Sequence, residues 1–172
     1  MADGFKVELD DRELQQLLDR ALQVTGDLTP AMKAIGEYMR RSTEGNFRGE
    51  HDPQGKPWKP LKVISYHLGY SLRKGKKTHT KAGLLTQAFQ KYLAGRKILT
   101  ESGDLRASIH YSADRTSVTI GSGKGYAAIH QFGGKAGRGN KVTIPARPFL
   151  GVGPRDRTAI VEELENYLRR AI

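Results

Sequence analysis

Residues 99–151 are punctuated so densely by glycine and proline that only short elements fit between the breaks. Three blocks follow one another there: Thr100-Glu101-Ser102-Gly103-Asp104-Leu105, then Tyr126-Ala127-Ala128-Ile129-His130-Gln131-Phe132-Gly133-Gly134, then Ile144-Pro145-Ala146-Arg147-Pro148-Phe149-Leu150-Gly151. Pro145 and Pro148 have no backbone donor and bias the residues before them toward extended geometry. Residues 144–150 therefore read as a sheet edge or exit and not as an ordinary central strand. Each block combines apolar anchors with residues that turn the chain. None brings together a nucleophile, a base and an orienting acid, so no catalytic residue is assigned and the pattern reads as an assembly part, not an enzyme.

Around these blocks the periodicity is clearer. Leu14, Leu17, Leu18, Ala21 and Leu22 recur at helical spacing, with Asp10 or Asp11 as a cap, Glu13 in the first turn and Gly26 as the stop. Thr29-Pro30 opens a second helix, with the Thr29 hydroxyl as its cap and Ala31, Ala34, Ile35, Tyr38 and Met39 as its stripe, fading near Gly45-Asn46. Residues 47–60 read as a loop anchored by Phe47 and Trp58, the latter a core plug. A helix is expected over 84–94, and Ser102 caps a short turn through Leu105. Strands are expected over 108–112 and 116–121, joined by a turn at 113–115. Residues 126–132 fit two helical turns closed by Gly133-Gly134, 141–144 a further strand, and 154–171 a last helix with Asp156 early and Arg169-Arg170 late, matching the helix dipole at both ends. Helices, then a basic excursion, then strands and a closing helix predict an α+β domain: helices packed against a small, mainly antiparallel sheet. At 172 residues it reads as a single domain, 1–172, with 62–97 as a basic insertion.

The net charge of +11 is placed unevenly. Residues 53–100 contain no Asp or Glu and 11 cations, while the rest of the chain holds 18 of each sign and balances. Arg73, Lys74, Lys76, Lys77 and Lys81 form the densest part, which reads as a mobile loop and a candidate contact for DNA or an acidic partner. The bland alternative is a solvated basic loop. With no cysteines the chain has no disulfides, thiolate metal sites or cysteine nucleophiles. The five histidines show no metal-ligand spacing, so neither metal nor cofactor is expected. Gly121-Ser122-Gly123-Lys124-Gly125 lacks the Walker pattern and reads as a turn. No stretch reaches the ~18 apolar residues of a membrane span and there is no recognisable export signal, so no membrane contact is expected.

Taken together, the Tyr-Ala…His-Gln-x-Gly block and the Ile-Pro-x-Arg-Pro-Phe-Leu-Gly block resemble the phage virion morphogenesis family, the tail-completion or neck proteins of Mu-like contractile-tailed phages. The likeness extends upstream through Phe47, Pro53-Gln54-Gly55-Lys56-Pro57-Trp58 and Leu61, and downstream into the terminal helix. It implies a structural protein of the virion, made in the host cytoplasm, acting in tail completion or head-tail joining as a homo-oligomeric ring with other tail or neck proteins as partners. It also marks Trp58, Gly103, Leu105, Tyr126, His130, Gly133, Pro145, Arg147, Pro148 and Phe149 as family-motif or interface residues. Arg147 is read either as an intrachain clamp or as a partner contact. His130 is read either as bonding a neighbouring chain or as satisfied within its own subunit. The rival reading is a non-specific nucleic-acid-binding protein using residues 53–100.

Overall fold

A computed structural model describes residues 12–61 and 77–171. The expected cap at Asp10 or Asp11 and the placement of Arg73, Lys74 and Lys76 lie outside the described residues.

Helix α1 (Arg12–Thr25) buries Ala21 and ends at Gly26, whose φ of 70° suits glycine. The turn to α2 (Thr29–Gly49) is organised by Asp27 and not by the Thr29 hydroxyl. Asp27 Oδ1 accepts from Thr29 N at 2.9 Å and from Thr29 Oγ1 at 2.6 Å, while the N-cap position itself is Leu28, without a side-chain cap. These bonds hold the Asp27 carboxyl below the usual carboxylate range, the Thr29 hydroxyl contributing most. Pro30 occupies the first turn, where its missing N–H costs nothing.

Helix α2 outruns its expected end. Phe47 belongs to its last turn, and Glu50 closes it in the left-handed region with its N–H on Asn46 O. The stripe that fades in sequence continues through Thr43, Asn46 and Phe47, all buried, because two of the positions are polar but internally bonded or enclosed. Thus α2 spans two cores. Its first half joins Ala21, Leu28, Ile160 and Leu164; its last turn reaches Trp58, Ile98, Leu105, Ile109, Ala127, Phe149 and Leu150.

Short elements fill the middle. Helix α3 (Gln87–Ala94) starts later than expected because Thr86 caps it, accepting from Phe89 N, while Leu84 and Leu85 precede it and Leu84 is 69% exposed. Helix α4 (Asp104–Ala107) follows Gly103 at φ 78° and buries Leu105. Strands β1 (Ile109–Ala113) and β2 (Val118–Ser122) pair antiparallel with Tyr111 opposite Ile120, and Asp114 closes their turn by accepting from Thr116 N and Ser117 N. This hairpin lies on α2, and the Tyr111 ring covers Gly36 so closely that a Cβ there would have no room.

Helix α5 (Ala127–Phe132) leads into a second hairpin, β3 (Gly134–Ala136) and β4 (Val142–Ile144), joined by a 3-10 turn (Arg138–Asn140). The single small sheet expected from the sequence is thus two separate two-stranded ribbons. The last helix, α6 (Pro154–Ala171), has the expected bounds. Asp156 fixes its start: Oδ2 accepts from Gly153 N at 2.8 Å and Oδ1 from Ser42 Oγ at 2.6 Å, tying α6 to α2. The architecture is α+β.

Candidate functional site

The second and third sequence blocks meet as one structural unit. Gly133 ends α5 at φ 75° and lets the chain leave toward the β3–β4 ribbon. Residues 145–150 then return against α5, with Arg147 N donating to His130 O at 2.7 Å. A Cβ on Gly133 would lie 2.7 Å from Ala146 N and 3.0 Å from Ile144 O, so both the turn and the returning segment require glycine there.

Beyond Arg147 the returning segment belongs to no strand, yet it is buried and its backbone groups must still be paired. Side chains supply the partners. Gln131 Oε1 accepts from Phe149 N and Leu150 N, both at 3.0 Å, and Gln131 Nε2 donates to Leu150 O at 2.7 Å. Asn46 Nδ2 donates to Phe149 O at 3.1 Å, and Trp58 Nε1 to Pro148 O at 2.7 Å. Pro148 itself has no donor to satisfy. Phe149 is fully buried, its ring 5.1 Å from that of Phe47, which in turn meets Trp58 edge-on at 5.6 Å. Arg147 is 2% exposed; its Nε donates to Lys59 O at 2.7 Å and its Nη2 to Pro60 O at 3.3 Å. The Arg-Pro-Phe-Leu element is a buried latch across α2, α5 and the 51–60 loop. Arg147 is therefore held as an intrachain clamp, spaced by the stiff prolines to reach two main-chain carbonyls.

On the other side of α5 lies an open pocket of about 360 Å³, lined by Tyr126 and His130 together with Leu61, Leu99, Leu105 and Arg96 among others. Tyr126 is 45% exposed and meets the His130 ring edge-on at 6.0 Å. His130 Nδ1 is buried and has no hydrogen-bond partner among the described residues. Burial, with the nearby Arg147 charge, pushes the His130 imidazole below its ordinary range and so favours its neutral form. Arg96 lies 4.1 Å above the Tyr92 ring and pairs with Glu101 at 3.1 Å, and Leu99, which also lines the pocket, holds φ 58°.

The structure thus gathers Trp58, Leu105, Tyr126, His130, Gly133, Arg147, Pro148 and Phe149 around α5, with Gly103 at the start of α4 and Pro145 just beyond β4. Lys77 and Lys81 do not line the pocket. They flank a turn in which Thr78 is buried and His79 bridges to Leu85, so the described end of the expected mobile loop is folded. Two residues that hold the latch, Gln131 and Asn46, were not singled out from sequence. Their signal was spacing: Gln131 lies one helical turn from buried Ala127, and Asn46 extends the Met39 and Thr43 stripe. Among the described residues no group of three or more acids and histidines is placed to hold a metal, and no helix is long and apolar enough to cross a membrane. The arrangement can fasten and present surfaces.

The phage virion morphogenesis family model matches residues 9–169. The chain is 32% identical to Mu-like prophage FluMu G protein 2 of Haemophilus influenzae, over 98% of this chain and 99% of the relative. It is 28% identical to the putative capsid assembly protein G of Escherichia phage Mu, over 100% of this chain and 99% of the relative. No solved structure matches it at a significant level.

Proposed function

The chain belongs to the phage virion morphogenesis family, which makes its role structural and places it in virion assembly; from that premise we propose that it completes the tail or joins it to the capsid at the head-proximal end, as a ring of identical copies. The observation that carries this reading is the full-length likeness to Mu-type G proteins combined with a motif spent on internal fastening. Arg147 and Phe149 are consumed by the latch, so the groups left to meet neighbours are the exposed ones near α5: Tyr126, Phe132 and Val142, exposed by 45%, 59% and 56%. A closed ring needs a heterologous interface, one patch on a different patch of the next copy. The face around α5 and β4 supplies one such patch, and the exposed β1–β2 turn at 114–117 is the candidate for the other. The mechanism is templated binding, with head and tail proteins as partners.

The test is particle assembly without this protein. Heads and tails are expected to form separately and to remain unjoined and non-infectious, and native mass spectrometry of the purified protein with its tail partners is expected to show a closed multimer. Fully assembled, infectious particles in its absence would overturn the role.

One observation favours a second reading. The acid-free run of 53–100 suits a non-specific nucleic-acid binder that works through phosphates, independent of any ring. In that case loss of the protein would disturb DNA metabolism in the infected cell and leave particle joining intact.

A further inference from the structure

The balance of charge outside residues 53–100 hides a second acid-free run. Residues 115–155 contain no Asp or Glu but carry Arg115, Lys124, Lys135, Arg138, Lys141, Arg147 and Arg155. Two of these are committed to the fold: Arg147 in the latch, and Arg115, whose guanidinium donates to Gly26 O. Three others fall together on the β3–β4 ribbon.

Within 134–144 every residue is exposed except Ala136 and Ile144, and the ribbon's main contacts are between its own strands and turn. A two-stranded ribbon of three-residue strands has little stability of its own. It is anchored where Gly133 and Ala146 cross and projects from there. Lys135, Arg138 and Lys141 have no hydrogen-bond or ion-pair partner among the described residues, and no acidic side chain lies on the ribbon to neutralise them. The remaining positions are mostly Gly, Ala, Asn and Thr, small enough to let backbone and side-chain donors approach a ligand closely. A two-stranded ribbon also has the width that the DNA major groove admits.

We propose that the β3–β4 ribbon is a nucleic-acid contact in its own right, in which Lys135, Arg138 and Lys141 engage the phosphates of duplex DNA without reading sequence. DNA is favoured over an acidic protein face because the cations are spread along a thin, glycine-rich projection. Such a projection tracks a regular line of phosphates but buries little surface against a protein. The contact does not depend on the ring.

The experiment measures binding of the full chain to a short labelled duplex by fluorescence anisotropy across a salt series. The parent is compared with the Lys135→Ala, Arg138→Ala, Lys141→Ala triple variant and with a Lys77→Ala, Lys81→Ala, Lys91→Ala control; circular dichroism and melting check the fold of each. Each phosphate contact contributes about 0.9 to the slope of log affinity against log salt, so the ribbon variant is expected to lower that slope by about 2 to 3 and low-salt affinity at least tenfold. A duplex of scrambled sequence is expected to bind as well. An unchanged slope in a folded ribbon variant, no salt-dependent binding by the parent, or equal ribbon-dependent binding to poly-glutamate would each overturn the proposal.

Discussion

Gln131 pairs with both backbone groups of Leu150, Nε2 donating to its carbonyl at 2.7 Å and Oε1 accepting from its N–H at 3.0 Å. The side-chain amide acts as a missing strand partner. It is a peptide group on a short tether, offering donor and acceptor to one residue of a segment that no strand flanks. The two N–H groups aimed at its oxygen also fix which way the amide faces. Because the site is buried, these bonds cannot be replaced by water.

Gln131→Leu fills the same space and orphans Phe149 N, Leu150 N and Leu150 O together. Each unpaired buried group costs about 1–3 kcal/mol, so a loss of about 3 kcal/mol or more is expected by urea melting. Gln131→Glu keeps the acceptor for two N–H groups but sets a carboxylate against Leu150 O. It is expected to destabilise as well and to recover partly as pH falls. A melt unchanged by Gln131→Leu would remove the latch as a source of stability.

Gly133→Ala combines a φ of 75° with a Cβ 2.7 Å from the Ala146 backbone, which cannot swing aside as a side chain would. Gly55 has a comparable φ of 83° with nothing near its Cβ. Alanine at 55 should therefore show the conformational cost alone, about 1 kcal/mol, and alanine at 133 distinctly more. Equal melting temperatures for the two variants would contradict the close approach seen here.

Arg147→Ala leaves the Lys59 and Pro60 carbonyls without their cationic donor, and a loss of at least about 2 kcal/mol is expected. Arg147→Lys offers one ammonium in place of a fork, so it should rescue little. Any defect of these variants in particle joining should follow their melting temperatures. A joining defect at normal stability would instead assign Arg147 a partner outside the chain.

His130 titrates below its ordinary value because of burial and Arg147. The unfolded chain therefore takes up a proton first as pH falls, and stability declines with decreasing pH below about 6.5, until the folded-state value is reached. His130→Gln removes that proton uptake. Between about pH 7 and pH 5 the parent is expected to lose more melting temperature than the variant, and parallel curves would show that His130 does not contribute to the decline.

Much of the scaffold was legible because its signals are local. The stripe Leu14, Leu17, Leu18 and Ala21 announces α1 by spacing alone, Pro154 to Arg170 announces α6, and Pro145 and Pro148 exclude a central strand whatever surrounds them. The errors lie where a local cue had a competitor. Thr29 looked like a cap, but Asp27 two residues earlier accepts from both its N–H and its hydroxyl, and the N-cap position falls to Leu28; Phe47 looked like the start of a loop because Gly45 and Asn46 precede it, yet tertiary burial carried the helix past them.

By itself the sequence determined the order of elements, the two-proline exit and the concentration of cations between Asp52 and Glu101, since composition and periodicity belong to neighbouring residues. Only the tertiary structure decided that Gln131, Asn46, Trp58 and Arg147 hold one segment, across up to 103 positions of chain. A buried segment with no strand beside it must take its hydrogen bonds from whatever folding brings within 3 Å or so, and spacing along the chain does not encode that distance.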